Sequence, residues 1–122
     1  MIKALALLLL FALAPLPAVG EEICVKYRGC VPMDTRFDCA VITTSTFIHR
    51  TCYAAAQRYL IIVLGQTPYH YCGVPSETVS ALRAARSPGG FYNREIRRRF
   101  DCRLGIVPDF GRCRESRCAG DP

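Results

Sequence analysis

The side chains best suited to recognition chemistry lie in the second half of the chain. Tyr69-His70-Tyr71 and Phe91-Tyr92-Asn93-Arg94 join aromatic rings to a run of cations that continues through Arg97, Arg98 and Arg99. Aromatic faces stack on bases and guanidinium groups hold phosphates, so the combination suits single-stranded nucleic acid. The candidate binding residues are therefore Tyr69, Tyr71, Phe91, Tyr92, Asn93, Arg94, Arg97, Arg98 and Arg99, their charge partly offset by Glu95 and Asp101. Asn93, read as a helix start, would leave backbone N–H groups free for an anion. A plainer reading puts Tyr71 and Phe91 in the core and makes the arginines a solvated face. Strand position and aliphatic neighbours favour core for at least half of these aromatics.

Candidates for catalysis are few. His49 and His70 are the only histidines. A secreted nuclease or hydrolase would need both imidazoles poised as acid and base, and these two approach each other only if their strands pair. The chain shows no Ser-His-Asp pattern, no glycine-rich phosphate loop and no paired-carboxylate cleft. No catalytic residue is assigned, no cofactor is implied, and a non-enzymatic role is expected.

Cys24, Cys30, Cys39, Cys52, Cys72, Cys102, Cys113 and Cys118 are the remaining reactive side chains. An even count in an exported chain points to four disulfides, with about a hundred possible pairings that spacing does not choose between. A zinc site needs paired thiolates a few residues apart, and the tightest spacing, Cys113 to Cys118, has no matching partner pair nearby. No metal is expected, and a thiol nucleophile is not expected where every cysteine is bridged.

Export itself is read from residues 1–20. Met1-Ile2-Lys3 is a short positive start, Ala4 to Ala14 is apolar, and Ala18-Val19-Gly20 is a small-x-small cleavage site. The apolar run is shorter than the roughly 20 residues a bilayer span requires. Cleavage after Gly20 would leave about 102 residues, one domain in size, secreted or periplasmic, with no stable membrane insertion. That mature chain carries a net charge of +5, and all its cations but Lys26 are arginine. The partner is unknown; the charge suits an anionic ligand, whether nucleic acid, an envelope polymer or an acidic protein.

Elements that would position these residues follow from periodicity. Residues 21–42 read as a cysteine-containing arm with one short strand near Ile23–Tyr27, and residues 104–122 as a cysteine-containing tail. Between them, Thr43 to Tyr53, Arg58 to Leu64 and Pro68 to Cys72 are rich in β-branched and aromatic residues and read as strands. In the third strand, alternation places Tyr69 and Tyr71 on one face and His70 and Cys72 on the other. Ser76 is an N-cap candidate for a helix with Val79 and Leu82 on one stripe, ending by Arg86–Ser87 before Pro88-Gly89-Gly90. Asn93 would then cap a second short helix from Arg94 to about Phe100.

The ordered set of pieces over this block resembles the KTSC domain, a module named from the C-terminus of some lysyl-tRNA synthetases and also found in small stand-alone bacterial proteins. It is carried by Ser45 and Ile48, Tyr53, Leu60 to Leu64, Tyr69-His70-Tyr71, Val74-Pro75, Ala85-Arg86-Ser87-Pro88-Gly89, Phe91-Tyr92-Asn93 and Ile96-Arg97. Thr51 stands where an aliphatic residue is usual, and Cys52, Cys72, Cys102 and both arms are additions. The resemblance implies a KTSC-like domain over residues 43–103 and suggests RNA binding from the synthetase context. The expected architecture is α+β: a three-stranded antiparallel meander followed by two short helices, flanked by disulfide-tied irregular arms. The expected role is an interaction module with a basic helix surface.

Overall fold

The computed structural model describes residues 13–14, 20–114 and 118. The leader expected over residues 1–20 and the end of the tail therefore lie largely outside the described residues. The expected meander is present as strands β4 (Ile48–Ala54), β5 (Tyr59–Leu64) and β6 (Thr67–Tyr71), each antiparallel to the next. Helix α1 (Ser76–Ala84) and the short helix α2 (Pro88–Phe91) follow.

β5 explains the architecture. Tyr59, Leu60, Ile61 and Ile62 are all fully buried, although consecutive strand residues point to opposite faces. Both faces of the sheet must therefore be covered, which is why β5 is an unbroken apolar run rather than an alternating one. Leu60 and Ile62 pack with Val79 and Leu82 of α1 and with Tyr92 and Ile96, so the helices cover one face. Tyr59 and Ile61 pack with Ile23, Val25, Val31 and Phe110, so the arm and tail cover the other.

The arms are more ordered than their composition indicates. Residues of the N-terminal arm form a hairpin of β1 (Glu22–Val25) and β2 (Gly29–Pro32), then β3 (Asp38–Val41), which pairs with β4 and widens the sheet to four strands. Four residues of β3 carry no legible period; the ladder to β4 and the cross-strand disulfide Cys39–Cys52 make them a strand. Arg83 of α1 ties this edge down by donating to Thr51 Oγ1 and to the carboxylate and carbonyl of Asp38, all at 2.9 Å. The other disulfides are Cys24–Cys118, Cys30–Cys113 and Cys72–Cys102, so all eight cysteines are bridged.

Two local expectations change. A β-bulge at His49 lets Ile48 share the helix-facing core with Tyr53 despite their odd spacing. The second helix begins at Pro88, not Arg94. Ser87 is its N-cap and accepts from the Gly90 N–H at 3.2 Å, while Pro88 supplies a preset first residue. Gly90, read as a breaker, lies inside this turn because a Cβ there would come within 2.9 Å of Ser87 Oγ. Asn93 falls in the wide turn Tyr92–Ile96 that continues the helix, closed by the Arg97 N–H donating to Tyr92 O at 2.8 Å. Asn93 therefore lies inside the turn and is not a helix start.

Candidate functional site

Along the outer edge of the sheet, β6 faces the segment that leaves the second helix, and the two enclose a cleft of about 490 Å³. One wall carries Tyr69, His70 and Tyr71; the opposite wall carries Tyr92, Arg97, Arg98, Asp101 and Arg103. Tyr27, from the β1–β2 turn, closes one end. Two constraints hold the walls together: the disulfide between Cys72, just past β6, and Cys102, and the Cys72 N–H donating to Phe100 O at 3.0 Å.

Within the cleft the phenols of Tyr71 and Tyr92 meet at 2.6 Å, their rings edge to face with centroids 5.8 Å apart. Burial, then the bond to Tyr92, pushes the Tyr71 hydroxyl far above the usual phenol range. It stays protonated and acts as a strut between the walls. On the other face of β6, His70 Nδ1 lies 3.0 Å from the hydroxyl of buried Tyr59. Burial pushes Tyr59 up to about 12, so its phenol stays protonated beside the imidazole. The Arg28 guanidinium caps this cluster, 4.9 Å from the Tyr59 ring centroid and 5.2 Å from that of Phe110, and donates to Pro108 O.

His70 is held below its ordinary 6.5 by burial and then by Arg28, against the opposing pull of Asp101. A base harder to protonate in the fold than in the unfolded chain stabilises less as pH falls, because the unfolded state takes the proton first. The melting temperature is therefore expected to drop as pH falls through and below the ordinary 6.5, and His70→Gln is expected to flatten that slope in thermal melts. Glu21, Asp34 and Asp101 are each lowered by an arginine partner, so they titrate at lower pH.

Five of the described cations are neutralised by carboxylates. Arg36 pairs with Asp34, Arg50 with Glu21, Arg83 with Asp38, Arg99 with Glu95 and Arg103 with Asp101. Among the described residues no carboxylate lies within ion-pair distance of Arg97 or Arg98, and both side chains are exposed. Arg98 also has a left-handed backbone, φ 69°, which is uncommon outside glycine and costs on the order of 1 kcal/mol.

Of the residues singled out from sequence, the fold brings together Tyr69, Tyr71, Tyr92, Arg97 and Arg98. Asn93 lines an adjoining groove with Phe47 and Leu64. Phe91 packs against the helix-side core, Arg94 lies over Gly90, and Arg99 is engaged by Glu95 at 3.4 Å; none of the three lines the cleft. His49 and His70 sit on β4 and β6 with β5 between them, so the two imidazoles form no acid–base pair. Tyr27, Asp101 and Arg103 join the site unannounced, since nothing local marks a hairpin turn as neighbour to a segment more than seventy residues away. Glu22, Cys30 and Cys113 cluster, but the two sulfurs are bonded to each other and offer no thiolate.

Fold and site together define a small α+β domain with an aromatic, cationic cleft at the edge of a disulfide-braced sheet. Residues 44–100 match the KTSC domain family. The chain is also similar to a KTSC domain protein from Yersinia pestis whose crystal structure is known, at 28% identity, covering 52% of this chain and 90% of that one, with a TM-score of 0.49. A search of curated proteins finds no match. The structure explains several motif residues. Ser45 Oγ accepts from the Ile48 N–H at 3.0 Å and sets the entry to β4. The Tyr53 hydroxyl donates to Val74 O at 2.6 Å, locking the end of β4 to the start of α1.

Proposed function

We propose that the protein is a non-enzymatic binding module that takes an anionic ligand in the cleft between β6 and residues 97–103. The observation that carries this reading is the pair Arg97 and Arg98, exposed and without a carboxylate partner among the described residues, facing a tyrosine wall. Arginine forks satisfy phosphate, sulfate or carboxylate oxygens, and a phenol ring supplies a flat apolar surface beside them. The domain would do this outside the cytoplasm. Four disulfides are compatible with a secreted or periplasmic protein, and no helix among the described residues is long and apolar enough to cross a membrane. Nucleic acid is one member of the ligand class, and its stacking partner here would be Tyr69.

Fluorescence anisotropy with a labelled oligonucleotide and with heparin tests the reading. The double variant Arg97→Ala/Arg98→Gly is expected to weaken binding at low salt by about tenfold or more. It should also flatten the salt dependence of oligonucleotide binding by about 0.7 per arginine removed. The glycine relieves the left-handed backbone at residue 98, so unfolding is not the expected route to lost binding. Equal binding by the variant and the parent, or no binding to either polyanion at low salt, would overturn the proposal.

A further inference from the structure

Folding leaves a group of large apolar side chains in water beside the cleft. Ile106 is 92% exposed, Leu104 89% and Tyr27 80%. Single exposed apolar residues are ordinary, whereas neighbouring ones on a fixed surface mark a contact. These three stand on two adjacent turns. Tyr27 shares the cleft with Arg103, the residue before Leu104, and Arg28 donates to Pro108 O, two residues after Ile106. The 103–108 loop is also held in place. Its start is turned by the Leu104 N–H donating to Asp101 O at 3.1 Å and pinned by Cys102, and a Cβ at Gly105 would touch Cys72 Cβ at 3.6 Å. The exposure is therefore built into the fold.

Cations rim this tip: Lys26 on one turn, Arg97 and Arg98 on the cleft wall. Asp101, on the cleft wall, is already met by Arg103 at 2.6 Å. We infer that the Tyr27 and Leu104–Ile106 turns form a docking surface for an anionic phospholipid bilayer. This inference rests on the anion-binding reading of the cleft, because Arg97 and Arg98 serve both. Leu104 and Ile106 enter the headgroup–acyl boundary, Tyr27 lies at the interface, and Lys26, Arg97 and Arg98 meet lipid phosphates. A soluble polyanion would satisfy the arginines and leave the aliphatic side chains in water. A bilayer surface satisfies both, and two weak signals together give reversible attachment where either alone is marginal.

Co-sedimentation with vesicles is the test, using phosphatidylcholine alone or mixed with phosphatidylglycerol. The protein is expected to pellet with the anionic vesicles at low salt and to stay in solution with the neutral ones. Leu104→Ser/Ile106→Ser should reduce partitioning about tenfold while leaving the thermal melt and heparin binding unchanged. Unchanged partitioning of that variant, or no pelleting with anionic vesicles, overturns the docking surface. Heparin binding that persists without vesicle binding removes the docking surface alone; loss of both removes the cleft reading as well.

Discussion

Replacing Cys72 and Cys102 together by serine is expected to destabilise the protein by about 3–4 kcal/mol and to abolish anion binding. The bridge closes a loop between residues 30 apart in sequence, and cross-linking such a loop removes conformational freedom from the unfolded chain. Both sulfurs are nearly buried, so serine hydroxyls in their place would add an unsatisfied polar cost. The same bond also sets the distance between the cleft walls, since Cys72 follows β6 and Cys102 lines the opposite side. Urea unfolding would give the stability loss, and anisotropy below the melting temperature would give the binding loss. Cys39→Ser/Cys52→Ser is the control. That bridge joins paired strands at the far edge of the sheet, so its removal should lower stability by a comparable amount while binding survives. Intact binding in the Cys72/Cys102 variant would show that the ladder and helices hold the cleft unaided.

The second large effect concerns β5. Ile61→Ala and Ile62→Ala are each expected to cost about 3 kcal/mol, within the 2–5 typical of large-to-small core changes. The two side chains are fully buried on opposite faces of one strand, Ile61 against the arm and tail, Ile62 against the helices. A sheet with one face open to water would lose little at Ile61. Here the loss should match that at Ile62, because the disulfide-tied arms are half of the core. With typical domain stabilities of about 5–15 kcal/mol, either change is readily measured by denaturant titration. A cost at Ile61 below about 1 kcal/mol would show that the arm does not pack on the sheet. Being on separate faces, the two losses should add within about 0.5 kcal/mol.

Much of this molecule was legible before any coordinates. Three strands and the first helix follow from β-branched runs, strand alternation and the turn residues that bound them, because those signals are local. The ordered motif from Ser45 to Arg97 pointed to the KTSC domain for the same reason: short-range contacts such as Ser45 to Ile48 leave their mark at short spacing. The second helix was misplaced because Pro88-Gly89-Gly90 is read as a stop, and only packing against Ser87 and Arg94 shows why glycine stands inside a turn. β3 escaped notice since four residues without a period become a strand only by pairing.

By itself the sequence determined the α+β class, the bridged state of the cysteines and the set of aromatic and basic residues from which a site is drawn. Which members meet was decided by tertiary structure. Arg97 and Arg98 lie in the cleft with no carboxylate partner among the described residues while Arg99, one residue on, is met by Glu95; Tyr27 arrives there from the opposite end of the chain. The cysteine pairings were settled the same way. The physical reason is that strand and turn preferences act over a few residues, whereas pairing, burial and the meeting of opposite charges depend on distances that exist only once the chain has folded.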